Sequence, residues 1–90
     1  MANIGPCYIC GRYCQRERHH VFNGSLRKKS EKYNAVVDLC HYCHNEPPNG
    51  VHHNRENSDN LKAEFQLKIM SEQNWTTSQF ISVFYKSYSR

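Results

Sequence analysis

The sequence predicts a small α+β fold: a strand-bearing first part closed by two cysteine pairs, then two C-terminal helices. Three observations predict it. Cysteines recur as Cys7-x2-Cys10 and Cys40-x2-Cys43. A run of strand-forming residues, Ala35-Val36-Val37-Asp38-Leu39, leads directly into the second pair. Beyond residue 54 the chain carries neither Cys nor His, and its apolar residues recur at helical spacing.

Taken in order, the strand at 35–39 needs a partner, and His20-Val21-Phe22 is the candidate. The basic segment 24–33 then forms the connection between the two. Pro47-Pro48-Asn49-Gly50 is a turn or loop. Leu61, Phe65 and Ile69 fall at i, i+4 and i+8 on one helical face, with Asn57, Ser58 or Asp59 as the cap. Gln73-Asn74-Trp75 breaks that helix. Thr76-Thr77-Ser78-Gln79 fits a capping box, in which the Thr side chain and the Gln three residues later satisfy each other's backbone N–H. Phe80, Ile81, Phe84, Tyr85 and Tyr88 form a second stripe. The plain reading of both stripes is core packing.

Ninety residues make one domain, 1–90, divided into a core at 1–54 and a helical tail at 55–90 that packs on it. Only 38% of the residues are hydrophobic, so a chain of this size builds a modest core and benefits from a metal or disulfide supplement. No stretch approaches the roughly 18 apolar residues of a membrane span. The opening Met1-Ala2-Asn3-Ile4-Gly5-Pro6 lacks the basic and apolar regions of a secretory signal. The expected compartment is a reducing cytosol, where cysteine pairs bind metal more often than they form disulfides. The sequons at Asn23 and Asn74 are then accidental. Five cysteines, an odd number, also argue against a closed disulfide framework. The net charge of +4 permits a nucleic-acid partner without requiring one.

Two CxxC turns, each offering two thiolates, match the tetrahedral preference of zinc. Cys7, Cys10, Cys40 and Cys43 are therefore the expected ligands of a structural Zn2+. Gly11 follows the first pair, where the backbone of such a turn needs unusual angles. Cys14 could replace Cys7, and His44 could replace Cys43. The plain reading of Cys14 is a buried thiol. A closed four-thiolate site has no open position, so this zinc would staple the fold and not react.

A staple leaves six histidines unexplained: His19-His20, His41, His44 and His52-His53. A single histidine would be structural or solvated. Two adjacent pairs and one histidine beside a cysteine knuckle point instead to a metal. Neighbouring residues on an extended strand face opposite ways, so a bend is needed for both members of a pair to serve one substrate. Their chemistry suggests divided labour, one histidine binding a metal that polarises a phosphate and the other, neutral, taking a proton from water.

Glu17-Arg18-His19-His20-Val21-Phe22, then Asn34, then Leu39-Cys40-x2-Cys43-His44 resembles the HNH nuclease pattern. Gly50-Val51-His52-His53-Asn54 and Gln79-Phe80-Ile81-x2-Phe84-x3-Tyr88 are similar to small phage and prophage HNH proteins. The resemblance implies a ββα-metal (His-Me finger, treble-clef-like) core stapled by zinc. By motif, His20 resembles the general base and His19 its metal-binding partner. His44 resembles a second ligand, and His52 could complete the site. Asn34 takes the middle position, which orients the base in that family, with Asn23 as the alternative. His53 could touch phosphate, and His41 is simply exposed. The implied chemistry is hydrolysis of a phosphodiester, expected in double-stranded DNA, leaving a 5′-phosphate. The catalytic divalent metal would be Mg2+, Mn2+, Ni2+ or Zn2+. The implied setting is the cytoplasm of a bacterium or a phage-infected cell.

Arg27, Lys28, Lys29 and Lys32 lie between the histidine pair and the second knuckle. They are candidate phosphate contacts, weighed against an ordinary solvated loop. Two readings compete with the nuclease. One is a zinc-ribbon module that binds nucleic acid or protein without catalysis. The other is an HNH fold that has lost activity. The His19-His20 pair upstream of a separate His44 argues against the first.

Overall fold

The structure is a computed structural model that describes residues 3–88. It is a small α+β fold with strands β1 (Ile4–Pro6), β2 (Tyr13–His20) and β3 (Val36–Cys40), and helices α1 (Arg27–Lys32), α2 (His41–Asn45), α3 (Arg55–Gln73) and α4 (Thr77–Phe84). The strands form one antiparallel sheet in the order β1-β2-β3. No helix among the described residues is long and apolar enough to cross a membrane.

The expected strand at 35–39 is β3, shifted by one residue. Its partner is longer and earlier than expected. The strand stops at His20, opposite Val36, and Val21 and Phe22 leave it to enter the core. The sequence reading placed no strand near the start, yet Ile4–Pro6 pairs with Tyr13–Gln15. Arg16 explains this: its guanidinium reaches Asn3 Oδ1 at 2.8 Å and Pro6 O at 3.3 Å, tying the first segment to β2.

The basic connection is not a loop but a 3-10 turn at Gly24–Leu26 followed by α1. Six residues would not hold a helix in isolation. Ser30 anchors this one. Fully buried, its hydroxyl accepts from the Phe22 N–H at 3.2 Å and donates to Ala35 O. It thus links the residues leaving β2 to those entering β3.

In α3, Leu61, Phe65 and Ile69 are buried as expected. The helix starts earlier than expected because Asn54 caps it, with Oδ1 accepting from Asn57 N at 2.9 Å. It ends at Asn74, which takes the left-handed conformation tolerated by Asn. The capping box of Thr76 and Gln79 is present in both directions, at 3.3 and 2.7 Å.

The second stripe divides. Phe80 and Phe84 are fully buried and pack on Phe22, with centroids 6.0 and 4.6 Å away. Ile81 and Tyr85 are exposed. Phe84→Ala should therefore cost about 3–5 kcal/mol, a large part of the stability of a domain this size. Ile81→Ala should cost less than about 1 kcal/mol. Urea unfolding of the two variants checks this, and equal losses would show that the aromatic cluster does not carry the tail's packing.

Candidate functional site

The first cysteine knuckle is built by backbone turns. Gly11 N donates to Cys7 O at 2.9 Å, and Gly11 has φ +76, the left-handed conformation anticipated for it. Tyr8 N donates to Asp38 O at 3.0 Å, docking the knuckle on β3. The second knuckle is the start of α2, where Cys40 Sγ accepts from Cys43 N at 3.4 Å.

The donor atoms of Cys7, Cys10, Cys40 and Cys43 all lie within 4.8 Å of one another, and Cys10 Sγ is 3.8 Å from Cys40 Sγ. Four thiolates about 2.3 Å from a central zinc stand about 3.8 Å apart along a tetrahedral edge. The group can therefore hold a structural metal such as zinc. Electrostatics points the same way. Burial opposes ionisation of Cys7, but backbone N–H donors from Cys10, Cys40 and Ile9 bring it down to about 6. Burial and the neighbouring thiols push Cys43 up. Four thiols this close ionise together only around a cation. Cys14 is partly buried beside the cluster but is not one of the four.

The histidines divide as the strand geometry requires. Glu17 and His19 share one face of β2, while His20, at the strand's end, turns the other way. His19 is 4% exposed and faces His44 and His52, with ring centroids 5.2 and 5.1 Å away. The donor atoms of these three lie within 4.8 Å of one another. His44 Nε2 and His52 Nε2 are 2.9 Å apart, shorter than the roughly 3.4 Å between two nitrogens about 2.1 Å from a tetrahedral ion and nearer the roughly 3 Å of a right-angled pair on a six-coordinate one.

Gly50 makes this convergence possible. A Cβ there would lie 2.7 Å from Glu46 N and 2.8 Å from Glu46 O. The tight return lets Val51 N reach Cys43 O at 2.8 Å and His52 N reach His44 O at 3.2 Å, setting His52 beside His44.

Two carboxylates that the sequence reading did not single out pair with His44 and His20. Glu17 Oε1 accepts from His44 Nδ1 at 2.7 Å. A carboxylate can only accept, so neutral His44 keeps its proton on Nδ1 and its lone pair on Nε2, facing the cluster. Glu17 Oε2 also accepts from His41 Nδ1, and Glu46 accepts from His41 Nε2, both at 2.9 Å. His41 is exposed as expected, but it is also clamped between two acids that raise its pKa, the bond to Glu17 most of all. The second carboxylate is Glu31 of α1, whose Oε1 lies 2.8 Å from His20 Nε2. Glu17 had a legible cue, since it stands two residues before His19 on the same strand face. Glu31 had none, because its place depends on α1 being a helix.

A cleft of about 230 Å³ is lined by Arg18, His19, His20, Asn23, Arg27, His44 and His52 among others. Asn34 is not brought there. It occupies the left-handed turn after α1, with φ 58, and lines a different cleft with Asp38 and Lys68. The basic residues also scatter. Arg27 lines the histidine cleft. Lys28 is exposed, and Lys32 lies over the Tyr33 ring at 5.4 Å. Lys29 turns to the tail, donating to Val83 O at 2.7 Å and lying 4.5 Å from the Tyr85 ring centroid.

With this geometry in place, comparison with known proteins finds no matching family model, no matching curated protein and no matching solved structure.

Two predictions follow from the metal groups. The protein should carry one tightly held zinc per chain, coupled to folding. Elemental analysis after prolonged dialysis checks it; a zinc content unchanged by the double change Cys40→Ser, Cys43→Ser would refute the ligand set. The second concerns acid. Burial first, then the neighbouring imidazoles, holds His19 down to about 4 from an ordinary 6.5. The unfolded chain takes up a proton that the folded state refuses. The stability contribution is therefore complete above about 6.5 and is lost as pH falls toward 4, by up to about 1.4 kcal/mol per pH unit. His19→Gln should have a flatter stability profile than the parent across that window in urea titrations. Parallel profiles would show that the imidazole is not held neutral.

Proposed function

We propose that the protein is a metal-dependent endonuclease of the HNH class that hydrolyses phosphodiester bonds, with double-stranded DNA as its substrate. One observation carries the reading. A single cleft combines three imidazoles converging as metal donors, a fourth imidazole paired with a carboxylate, and two arginines. A purely structural metal site would need neither the fourth imidazole nor the arginines, and the thiol cluster already supplies a staple.

In this reading His19, His44 and His52 hold a divalent cation. Such an ion, when bound, supplies positive charge that polarises a phosphate and stabilises the departing 3′-oxygen. Histidine donors accommodate Zn2+, Ni2+ or Mn2+, and Mg2+ remains the other candidate. Glu17 fixes the tautomer of His44 so that its Nε2 lone pair faces the cluster.

His20 is the general base. Its Nε2 bond to Glu31 leaves Nδ1 to take the proton from an attacking water, and Glu31 stabilises the imidazolium that results. Glu31 thus takes over the orienting role that the sequence reading assigned to Asn34. Asn23, the alternative, does line the cleft. Arg18 and Arg27 would hold backbone phosphates, contributing affinity without reading bases.

A nicking assay with added divalent metal tests the mechanism. His20→Ala should lower turnover by about 10²–10⁴-fold with duplex affinity and zinc content unchanged. Glu31→Ala should lower turnover less, again without affecting affinity. His44→Ala should be partly rescued by more metal, because mass action offsets weakened binding. Undiminished cleavage by folded His20→Ala, purified free of host nuclease, would overturn the assignment.

A further inference from the structure

The tail does more than cover the core. A second cleft, of about 400 Å³, lies next to the histidine cleft and is lined by His52, His53, Arg55, Lys62, Lys86 and Tyr88 among others. His52 lines both clefts. The two recesses therefore meet at a residue of the three-histidine group.

The charges in this second cleft are placed for an anion. The Lys62 ammonium lies 5.4 Å and the Lys86 ammonium 5.0 Å from the centroid of the same Tyr88 ring. Both ammonium groups line the same cleft. Among the described residues neither forms an ion pair. The one acid lining the cleft, Asp59, is 3.6 Å from Arg55. Lys62 comes from the middle of α3 and Lys86 from beyond α4, so only the folded tail brings them together. Tyr88 in turn packs on Phe22, 5.6 Å between centroids, which gives the pair a firm base. A phosphate in this cleft would meet two ammonium groups able to donate charge-assisted hydrogen bonds.

We propose that Lys62 and Lys86 form a second phosphate-binding subsite, on the other side of His52 from Arg18 and Arg27, so that one nucleic-acid strand crosses the histidine cluster with a backbone phosphate held on each side. This rests on reading the histidine cleft as a nuclease centre, and it deepens that reading in two ways. The scissile bond is internal, because phosphates flank it in both directions. The phosphate contacts come from the cleft walls and the tail, while Lys29 of the basic segment serves packing.

The test is the salt dependence of binding to a short fluorescein-labelled DNA duplex, measured by anisotropy with no added divalent ion. Each lost phosphate contact lowers the slope of log K against log salt by about 0.9. The double change Lys62→Gln, Lys86→Gln removes one phosphate contact and should therefore lower the slope by about 0.9, and each single change by less. Lys62→Arg with Lys86→Arg should keep it. Loss of ring packing alone would lower the melting temperature without moving the slope. Arg18→Gln with Arg27→Gln supplies the comparison from the other side. If the parent protein binds and the arginine pair lowers its slope while neither the lysine pair nor either single lysine variant does, the subsite is overturned and the nuclease reading stands. If the parent protein shows no salt-dependent binding, both fall.

Discussion

The convergence of four thiols is the constraint on which the remaining geometry depends. Cys10 and Cys40 are thirty residues apart in sequence and 3.8 Å apart at sulfur. Holding them there fixes the first knuckle against β3 and defines where β3 ends and α2 begins. From that point the chain has little freedom. Four residues after Cys40 comes His44, one helical turn further on, and the return through Gly50 brings His52 to its side. The histidine cluster is thus built outward from the thiol cluster. In a domain with so small an apolar core, a metal at the thiols would add directly to the stability of the folded state, because binding energy that requires the folded geometry is folding energy.

What was legible in the sequence was whatever rested on local pattern or fixed spacing. The CxxC pairs, the strand entering Cys40, the helical spacing of Leu61, Phe65 and Ile69, and the Thr76–Gln79 box depend on a few consecutive residues and appear as expected. What was not legible depended on tertiary contact. The helix at 27–32 has no apolar stripe of its own; one buried hydroxyl anchors it to the residues that leave β2 and enter β3. Without that helix in view, Glu31 could not be paired with His20, and Asn34 stood as the orienting residue. Lys29 looked like its neighbours in a basic run, yet it reaches a carbonyl 54 residues later.

Adjacent histidines in such different surroundings are a consequence of strand geometry used at a strand end. Within β2 the alternation is strict, so His19 goes inward with Glu17. At His20 the sheet stops, and the chain bends into Val21 and Phe22. That bend keeps His20 at the mouth of the same cleft although its ring faces a different helix. One ring is desolvated among other imidazoles, and the other is tied to an exposed carboxylate. The same residue type is thereby suited to two tasks, a neutral donor in one case and a proton acceptor with an anionic partner in the other.

The cost of this arrangement falls on the protonated forms of the cluster. Three imidazoles within 4.8 Å of one another cannot all be protonated, and burial adds to the penalty at His19 and His52. His44 Nε2 and His52 Nε2 already lie within hydrogen-bond distance of each other, and His19 packs edge-on to both rings. A divalent cation satisfies all three at once without adding a proton. Glu17 acts from outside the group: its negative charge makes His44 a better donor to a cation, while its own charge is held by His44 and His41. The three histidines form a group that could hold a metal ion, and His20 lies outside that group, facing Glu31, where the proposed mechanism needs its base.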